Sequence, residues 1–514
     1  MNYVRLTQKV AVRCIRVLQI SLFYFQSVGN ANFYAKNALK SKLPQLVPFK
    51  LKYYFWTLHN RYQQMDILFT DALKLRRPNA FNVMVKPTGP ICNLNCTYCY
   101  YLEKKKLFPG KNDFRLGEEL LENFIKQYIG TQQVPVVTFT WQGGEPTLLG
   151  LDYFMKVIEL EKKYADGEKI ENAFQTNGTR LNDDWCKFFT DNNILVGISI
   201  DGEEHNHDHY RRTNSGGPTF KRAMKGIELL HKHKVEFNTL SCVNSYNVHF
   251  ASETYRFLKR IGSGFIQFLP VVERIANHPE EGSLNLVNPG FGADASVTDW
   301  SVNGKDFGKF LIAIFNEWIR NDVARYYVQI FDTTLANYVG EMPGLCVFSE
   351  TCGDALVMEH NGDLFSCDHY VYPEYFLGNI SETPMIDIVK SQRQFDFGID
   401  KRNKLPRYCL QCDVRYACHG ECPKHRLINT PDGKPGLNYL CEGYKMFFHH
   451  VEPYMEYMAK ELKNKRPPAN VMNWMRNKDN QVVKPVTPER NDPCPCGSGK
   501  KFKNCCAGKP LYLA

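Results

Sequence analysis

The sequence predicts an α/β protein: a partial, open (β/α)6 barrel, followed by a cysteine-rich domain and a small metal-binding tail. Three observations carry this. Strand-like and helix-like segments alternate about six times from residue 81, which implies a parallel sheet with crossover helices. No Gly-rich dinucleotide loop follows the strands, which favours an open barrel over a Rossmann sheet. Fifteen of the 18 cysteines fall in four clusters with metal-ligand spacing.

Residues 81–86 (FNVMVK) read as the first strand. Residues 117–129 read as a helix, apolar at Leu120, Leu121, Phe124, Ile125 and Tyr128. A β-branched run at 134–141 and an amphipathic helix at 151–164 come next. Strand 170–174, helix 183–191 and strand 195–200 follow, then helix 220–231, strand 235–243, helix 250–261 and strand 265–269. Residues 271–304 read as irregular, and a helix is expected at 307–321. The stretch 346–441 holds eight cysteines with weak periodicity, as where metal ligation replaces a large core. Helix 444–463 closes the body. Residues 466–492 carry Pro467, Pro468, Pro485 and Pro488 and read as a linker. The expected organisation is an extension at 1–78, the βα core at 79–310, the cysteine-rich domain at 311–465, the linker, and a metal motif at 493–507.

A chain of 514 residues is too long for one compact domain. With 43% hydrophobic and 23% charged residues it is neither disordered nor collagen-like. No run approaches ~18 uninterrupted apolar residues, so no membrane span is expected. The formal charge of +10 belongs to the ends. Residues 1–78 hold 13 Lys and Arg against two acidic residues, and 463–514 hold 11 against three, leaving the body mildly acidic. Nucleic acid is therefore not the expected partner. Short-spaced cysteines in a long chain imply reduced thiolates and a cytoplasmic location. Within the extension, Arg5 to Arg16, an apolar stretch from Val17 and the triplet at 29–31 are the parts of an export signal. Gln19 and Gln26 interrupt the stretch, and export would oxidise the thiols downstream. Translation from Met65 is the other reading.

Cys92, Cys96 and Cys99 form C-x3-C-x2-C just after the first strand. A 4Fe–4S cluster takes four thiolates, so three leave one iron open. A zinc site short of a ligand would present the same residues, but active sites of βα barrels lie at the C-terminal ends of the strands, where this loop sits. Gln142 to Pro146 (QGGEP) follow the second strand, Gln175 to Gly178 the third, and Ser199 and Asp201 the fourth, with Arg211 shortly after. Here the chain resembles the radical S-adenosylmethionine (radical SAM) enzymes. The resemblance implies that the open iron chelates S-adenosylmethionine, whose cleavage gives a 5′-deoxyadenosyl radical. It further implies that Gly144 and Glu145 hold the methionine ammonium and that Ser199 and Arg211 contact the ribose and carboxylate. Tyr98 is then placed to pack on the adenine and Val272 to close over it.

Cys346, Cys352, Cys367, Cys409, Cys412, Cys418, Cys422 and Cys441 suffice for two fully ligated 4Fe–4S clusters. Spacing alone would join Cys409 to Cys422 as one unit, and two structural zinc sites would fit the same count. The pattern resembles the SPASM extension of radical enzymes that modify peptides. That resemblance assigns Cys346, Cys352, Cys367 and Cys422 to one auxiliary cluster and Cys409, Cys412, Cys418 and Cys441 to the other, giving three 4Fe–4S clusters in all.

Within that group the chain is similar to anaerobic sulfatase-maturating enzymes from about residue 81 to about 451. The similarity runs through WQGGEPTL at 141–148, FQTNGT at 174–179, LVGISIDG at 195–202, KVEFN at 234–238 and SCDHYV at 366–371. It implies oxidation of a Cys or Ser in a Cys/Ser-x-Pro-x-Arg motif of a sulfatase to Cα-formylglycine. It also implies an electron donor such as a flavodoxin or ferredoxin, and Asp368 as the general base. A carboxylate beside a cluster ligand can take the substrate proton while the cluster takes the electron. A thioether-forming peptide maturase would share the same ligands, and a non-catalytic zinc adaptor is the reading from outside the enzymes.

Cys494, Cys496, Cys505 and Cys506 place four thiolates within a short basic segment, enough to enclose a tetrahedral Zn²⁺. The segment resembles the SEC-C zinc motif. Cys186 and Cys242 sit in apolar periodic segments and read as core thiols.

Overall fold

The computed structural model describes residues 79–110, 113–280, 282–292, 294–482, 489–491, 493–494 and 498–505. The expectations for residues 1–78, Cys496 and Cys506 lie outside the described residues.

Six strands alternate with helices: β1 Asn82–Lys86, α1 Glu118–Thr131, β2 Val136–Trp141, α2 Leu151–Tyr164, β3 Lys169–Thr176, α3 Asp183–Asp191, β4 Leu195–Ser199, α4 Glu204–Tyr210, α5 Phe220–Lys232, β5 Phe237–Val243, α6 Ala251–Arg260 and β6 Phe265–Pro270. All six pair in parallel and in sequence order. The period of two along each strand divides the side chains. Val83 and Val85 of β1 are fully buried in the main core with Phe124 and Tyr128 of α1, while Asn82, Met84 and Lys86 take the other face. Side-chain caps set helix starts. Asn182 Oδ1 accepts from Trp185 N (2.9 Å) at α3.

The segment read as irregular at 271–304 contains a small hairpin, β7 Arg274–Ala276 with β8 Ala295–Val297. α7 Gly304–Asn321 follows, so the boundary expected at residue 310 falls inside a helix. β9 Tyr327–Val328 adds to the β6 edge of the sheet and leads into α8 Gln329–Val339. The cysteine-rich part then extends the opposite edge. β10 Ala355–Glu359 pairs in parallel along the whole of β1, setting Lys86 beside Glu359, and β11 Asp363–Phe365 and β12 Phe376–Asn379 add on antiparallel. The resulting ten-stranded sheet stays open.

The closing helix α9, Cys441–Lys463, starts on a cysteine and packs across α7. The crossing is made by glycines: a Cβ on Gly443 would lie 1.9 Å from Gly304 O, and one on Gly308 would lie 2.5 Å from Gly443 Cα. The stretch read as a linker is also corrected. It forms α10, Asn470–Val482, whose Val471 and Met475 are buried against the core. Trp474 stacks on Tyr457 of α9, and Arg466 pairs with Glu461. Buried apolar side chains, rather than the prolines on either side, decide its structure.

Candidate active site

The loops after the first four strands leave the C-terminal ends of parallel strands, so they converge on one end of the sheet. The cysteine loop is pinned across it: Asn95 N donates to Arg212 O (2.8 Å) and Thr97 N to Tyr210 O (3.0 Å). Cys92 Sγ accepts from Leu94 N (3.4 Å) and Asn177 Nδ2 (3.8 Å). The N–H groups of Tyr101 and Leu102 point at Cys99. Burial pushes Cys92 up to about 12, with Glu145 and Cys99 adding to it. Cys96 is raised by burial and then by both other thiols, so the three lie within electrostatic reach. Thiols with N–H groups aimed at sulfur suit an iron–sulfur cluster, whose potential such bonds tune. Among the described residues no three His, Cys, Asp or Glu close around a single ion. A cubane is a wider cage, because each thiolate holds its own iron.

The neighbouring loops differ from expectation in detail. Gly144 is required by packing: a Cβ there would sit 1.9 Å from Ile91 O, and Gly144 N donates to Gly89 O (2.9 Å). Glu145 was expected to face an ammonium. It is wholly buried, and its carboxylate accepts from Thr147 N (3.1 Å), Thr147 Oγ1 (2.7 Å), Thr176 Oγ1 (2.8 Å) and Asn177 N (2.8 Å). It ties the second and third loops together. Val272, expected to close over the adenine, is 1% exposed and packs in the main core.

Ser199 and Arg211 are held in place by residues that sequence reading gave no role. Gln175 Nε2 donates to Ser199 Oγ (3.0 Å). Asp201 Oδ2 accepts from Arg211 Nε (2.9 Å) and Tyr98 OH (2.5 Å), and the guanidinium lies over the Tyr98 ring. Cys242, read as a core thiol, is corrected. It lies on the same side of β5 as this group, with Arg211 Nη2 3.9 Å from its sulfur. Cys186 is fully buried in the core, as read.

Asp368 meets this end of the sheet at Lys86, whose Nζ is 2.6 Å from its Oδ1. Tyr100 OH donates to Oδ2, and the Lys86 ammonium also lies 4.4 Å over the Tyr101 ring. Tyr101 OH donates in turn to Glu359. Burial pushes the Asp368 carboxyl up, but Lys86, His369 and the hydrogen bonds from Lys86 and Tyr100 outweigh it and hold the group below the usual carboxylate range. Asp368 is thus an ionised, anchored carboxylate. Lys86 was missed in the sequence, although a lysine at the inward-facing end of an apolar strand was the available signal.

The remaining thiols gather in two groups. Burial raises Cys346, Cys352, Cys367, Cys409, Cys418, Cys422 and Cys441. Beyond it, Cys346 acts on Cys352, Cys367 and Cys422. Cys409 and Cys412 act on Cys441, and Cys441 and Cys409 on Cys418. The groups interleave in sequence because His419, Gly420 and Glu421 take φ of 47°, 72° and 49°, turning the chain from Cys418 back to Cys422. Backbone N–H groups again point at sulfur, from His369 to Cys367, Gly420 to Cys418 and Lys424 to Cys422. Cys441 opens α9, where a helix N-terminus favours a thiolate. In the tail, Cys494 is buried and its N–H donates to Lys500 O (2.8 Å).

Three thiols on the first loop of an open parallel sheet, with two further thiol groups beyond it, define a radical S-adenosylmethionine enzyme carrying iron–sulfur clusters. Residues 87–258 match the Radical SAM superfamily, 346–413 an iron-sulfur cluster-binding domain (SPASM), and 490–508 the SEC-C motif. The chain is 49% identical to a serine-type anaerobic sulfatase-maturating enzyme of Bacteroides thetaiotaomicron, over 77% of this chain and 95% of that one. It is 33% identical to a cysteine-type enzyme of Clostridium novyi, over 74% and 98%. A solved structure of anSMEcpe with bound AdoMet and Cp18Cys peptide aligns with a TM-score of 0.65 at 30% identity, over 74% of this chain and 99% of that one. The chain belongs to the anaerobic sulfatase-maturating enzyme family.

Proposed function

We propose that this protein oxidises a Ser or Cys side chain in a Cys/Ser-x-Pro-x-Arg segment of a sulfatase to Cα-formylglycine. The observation that carries this reading is Asp368: an ionised carboxylate at the mouth of the sheet, next in sequence to a cysteine of the first auxiliary group. Cys92, Cys96 and Cys99 would hold a cluster that binds S-adenosylmethionine, which would supply the radical that abstracts a hydrogen atom from the substrate carbon. Gln175 sets Ser199, and Asp201 sets Arg211 and Tyr98, for contacts to the cofactor. Asp368 accepts the proton of the substrate hydroxyl or thiol, with Lys86 and Tyr100 fixing its two oxygens. A carboxylate held this low is a weak base, which suffices when the electron leaves with the proton, as it would to the auxiliary cluster that Cys367 would help to hold.

Cys346, Cys352, Cys367 and Cys422 would hold one auxiliary 4Fe–4S cluster, and Cys409, Cys412, Cys418 and Cys441 a second, giving three with the first site. An electron donor such as a flavodoxin or ferredoxin would supply the reducing electron in a reducing cytoplasm. Cys494, Cys496, Cys505 and Cys506 would bind Zn²⁺, a role supported by the SEC-C match. Among the described residues no helix is long and apolar enough to cross a membrane.

The test is anaerobic incubation with S-adenosylmethionine, a reductant and short peptides bearing the motif with Ser or Cys, followed by mass spectrometry. An aldehyde at that residue supports the reading; 5′-deoxyadenosine with a thioether product, or an intact peptide, overturns it.

A further inference from the structure

The helix Gln392–Asn403 buries Gln394, Gly398 and Lys401, and none of the three is a large apolar side chain. Spaced by four and then three, they share one face. That face serves the loops of the first auxiliary thiol group. Gln394 Nε2 donates to Gly353 O (2.7 Å) and Ser366 O (3.2 Å), the neighbours of Cys352 and Cys367. Gly398 O accepts from Cys352 N (3.1 Å). Lys401 Nζ donates to Cys346 O (2.6 Å) and Val347 O (2.8 Å). Holding carbonyls needs only a neutral donor, as Gln394 demonstrates, so the charge on Lys401 exceeds that task. Lys401 is 1% exposed, and a buried ammonium is costly without a countercharge. Burial disfavours its charge, and the groups that favour it are, in order, Cys352, Cys346, Cys422 and Glu421. Glu421 is already paired with His425. The influence is returned: burial raises Cys346 and Cys352, and Lys401 is the strongest opposing influence on each. In the second group the lysine acting on Cys441 is Lys445, an exposed side chain paired with Asp413. Arg426 acts on Cys422 and on Cys409 and so does not distinguish the groups.

We propose that Lys401 raises the reduction potential of the auxiliary cluster on Cys346, Cys352, Cys367 and Cys422, and so makes that cluster the acceptor of the substrate's electron. The source of the electron rests on the maturase reading above; the effect of Lys401 on the potential does not. Coordination deprotonates the thiols, and the resulting anionic sulfurs supply the countercharge that Lys401 otherwise lacks. The net charge around a cluster is one of the quantities that fix its potential. Reduction adds negative charge beside the ammonium, and in a site with little water that attraction is far stronger than in solvent. The reduced form is therefore favoured. Once a hydrogen atom has been taken from the substrate carbon, the remaining radical passes its electron to this cluster and its O–H or S–H proton to Asp368. The carbon–oxygen or carbon–sulfur bond becomes double. In the Cys case water then replaces the sulfur, which leaves as hydrogen sulfide. Lys401 takes no part in these bonds and acts only through the cluster.

The experiment is an anaerobic redox titration of the iron-loaded full chain, followed by electron paramagnetic resonance. Lys401→Gln keeps a neutral donor for the two carbonyls, Lys401→Met keeps neither donor nor charge, and Lys401→Arg keeps both. The Gln and Met variants should move one reduction step to lower potential. At a fixed potential its reduced-to-oxidised ratio should fall about tenfold, which is about 59 mV for one electron. The Arg variant should stay near the wild type. The moved step should not be the one that responds to S-adenosylmethionine, and the other steps should hold still. Iron content and circular dichroism establish that clusters and fold are intact. An iron-replete Gln or Met variant with unmoved steps overturns the proposal, as does a shift common to every step or one equally large in the Arg variant. Loss of iron from both neutral variants makes Lys401 a structural residue and overturns it too. The titration uses no peptide, so a wild-type enzyme that forms no formylglycine overturns the maturase reading while the potential is still read on the same protein.

Discussion

Lys86 Nζ lies 2.6 Å from Asp368 Oδ1, at the point where the first strand of the parallel sheet meets the cysteine-rich domain. The pair joins the two halves of the proposed chemistry. Lys86 belongs to the strand that leads into the first cysteine loop, and Asp368 follows directly on a cysteine of the second thiol group.

If Asp368 is the base, Asp368→Asn keeps size and hydrogen bonding but cannot accept a proton at neutral pH. Cofactor binding and hydrogen abstraction do not need it. 5′-Deoxyadenosine should still form in the presence of peptide, while formylglycine falls about a hundredfold or more. Quantifying both by liquid chromatography and mass spectrometry checks the uncoupling. Equal losses would mean that Asp368 only supports the fold.

Lys86→Met removes the charge that holds the Asp368 carboxyl down, leaving burial to push it up. A base works only when ionised, so its activity is lost as pH falls through its pKa. In the wild type that loss lies below the usual carboxylate range. In the variant it should move to higher pH, visible as a shifted acid limb in the ratio of formylglycine to 5′-deoxyadenosine. An unmoved limb would separate Lys86 from the base. The unpaired carboxylate should also cost about 3–5 kcal/mol of stability.

Replacing Cys92, Cys96 and Cys99 together with Ala should abolish reductive cleavage of S-adenosylmethionine. The protein should lose one cluster's worth of iron, about four atoms, and keep the rest. Release of 5′-deoxyadenosine by this variant would place the cofactor elsewhere.

Gly443→Ala should lower stability by about 1–3 kcal/mol, the usual cost of overpacking, because its methyl would meet the backbone of Gly304 at 1.9 Å. Anaerobic denaturant titration reads this directly. A neutral result would mean that α7 and α9 separate freely.

A chain ending before Pro493 should keep its activity on short peptides, whereas one ending at Arg466 should be less stable. The second cut removes Val471 and Met475, which are buried against the body. Thermal unfolding and peptide turnover of the two truncations distinguish these outcomes.

The sheet was legible because its signal is local. Alternation in FNVMVK and VVTFTW and the crossover helices between them fix six strands without reference to distant residues. The thiol groups were legible by type and count, although only the fold brings Cys422 to Cys346 rather than to Cys418. What escaped depends on which face a side chain takes and on what arrives from far along the chain. Cys242 sits in an apolar segment but on its inward side. Glu145 carries a ligand-like motif, and both its oxygens also accept from neighbouring loops. Val272 has the expected identity in a buried place. Helix Asn470–Val482 was hidden by prolines at its borders, and Lys86 could not be paired before Asp368 was placed.

The full-length pairing of Asn82–Lys86 with Ala355–Glu359 has a consequence for synthesis. The early strand leaves the ribosome long before its neighbour. At about 5–20 residues per second, the interval is roughly a quarter to a full minute. Throughout it, one flank of the nascent sheet presents unpaired N–H and C=O groups, a template for wrong partners. Over the same interval Lys86 has neither Glu359 beside it nor Asp368 against it. The residues for the proton step therefore come together only after the loops that could generate a radical have emerged. A ribosome stalled between the two strands would release a product with an adhesive edge and no base.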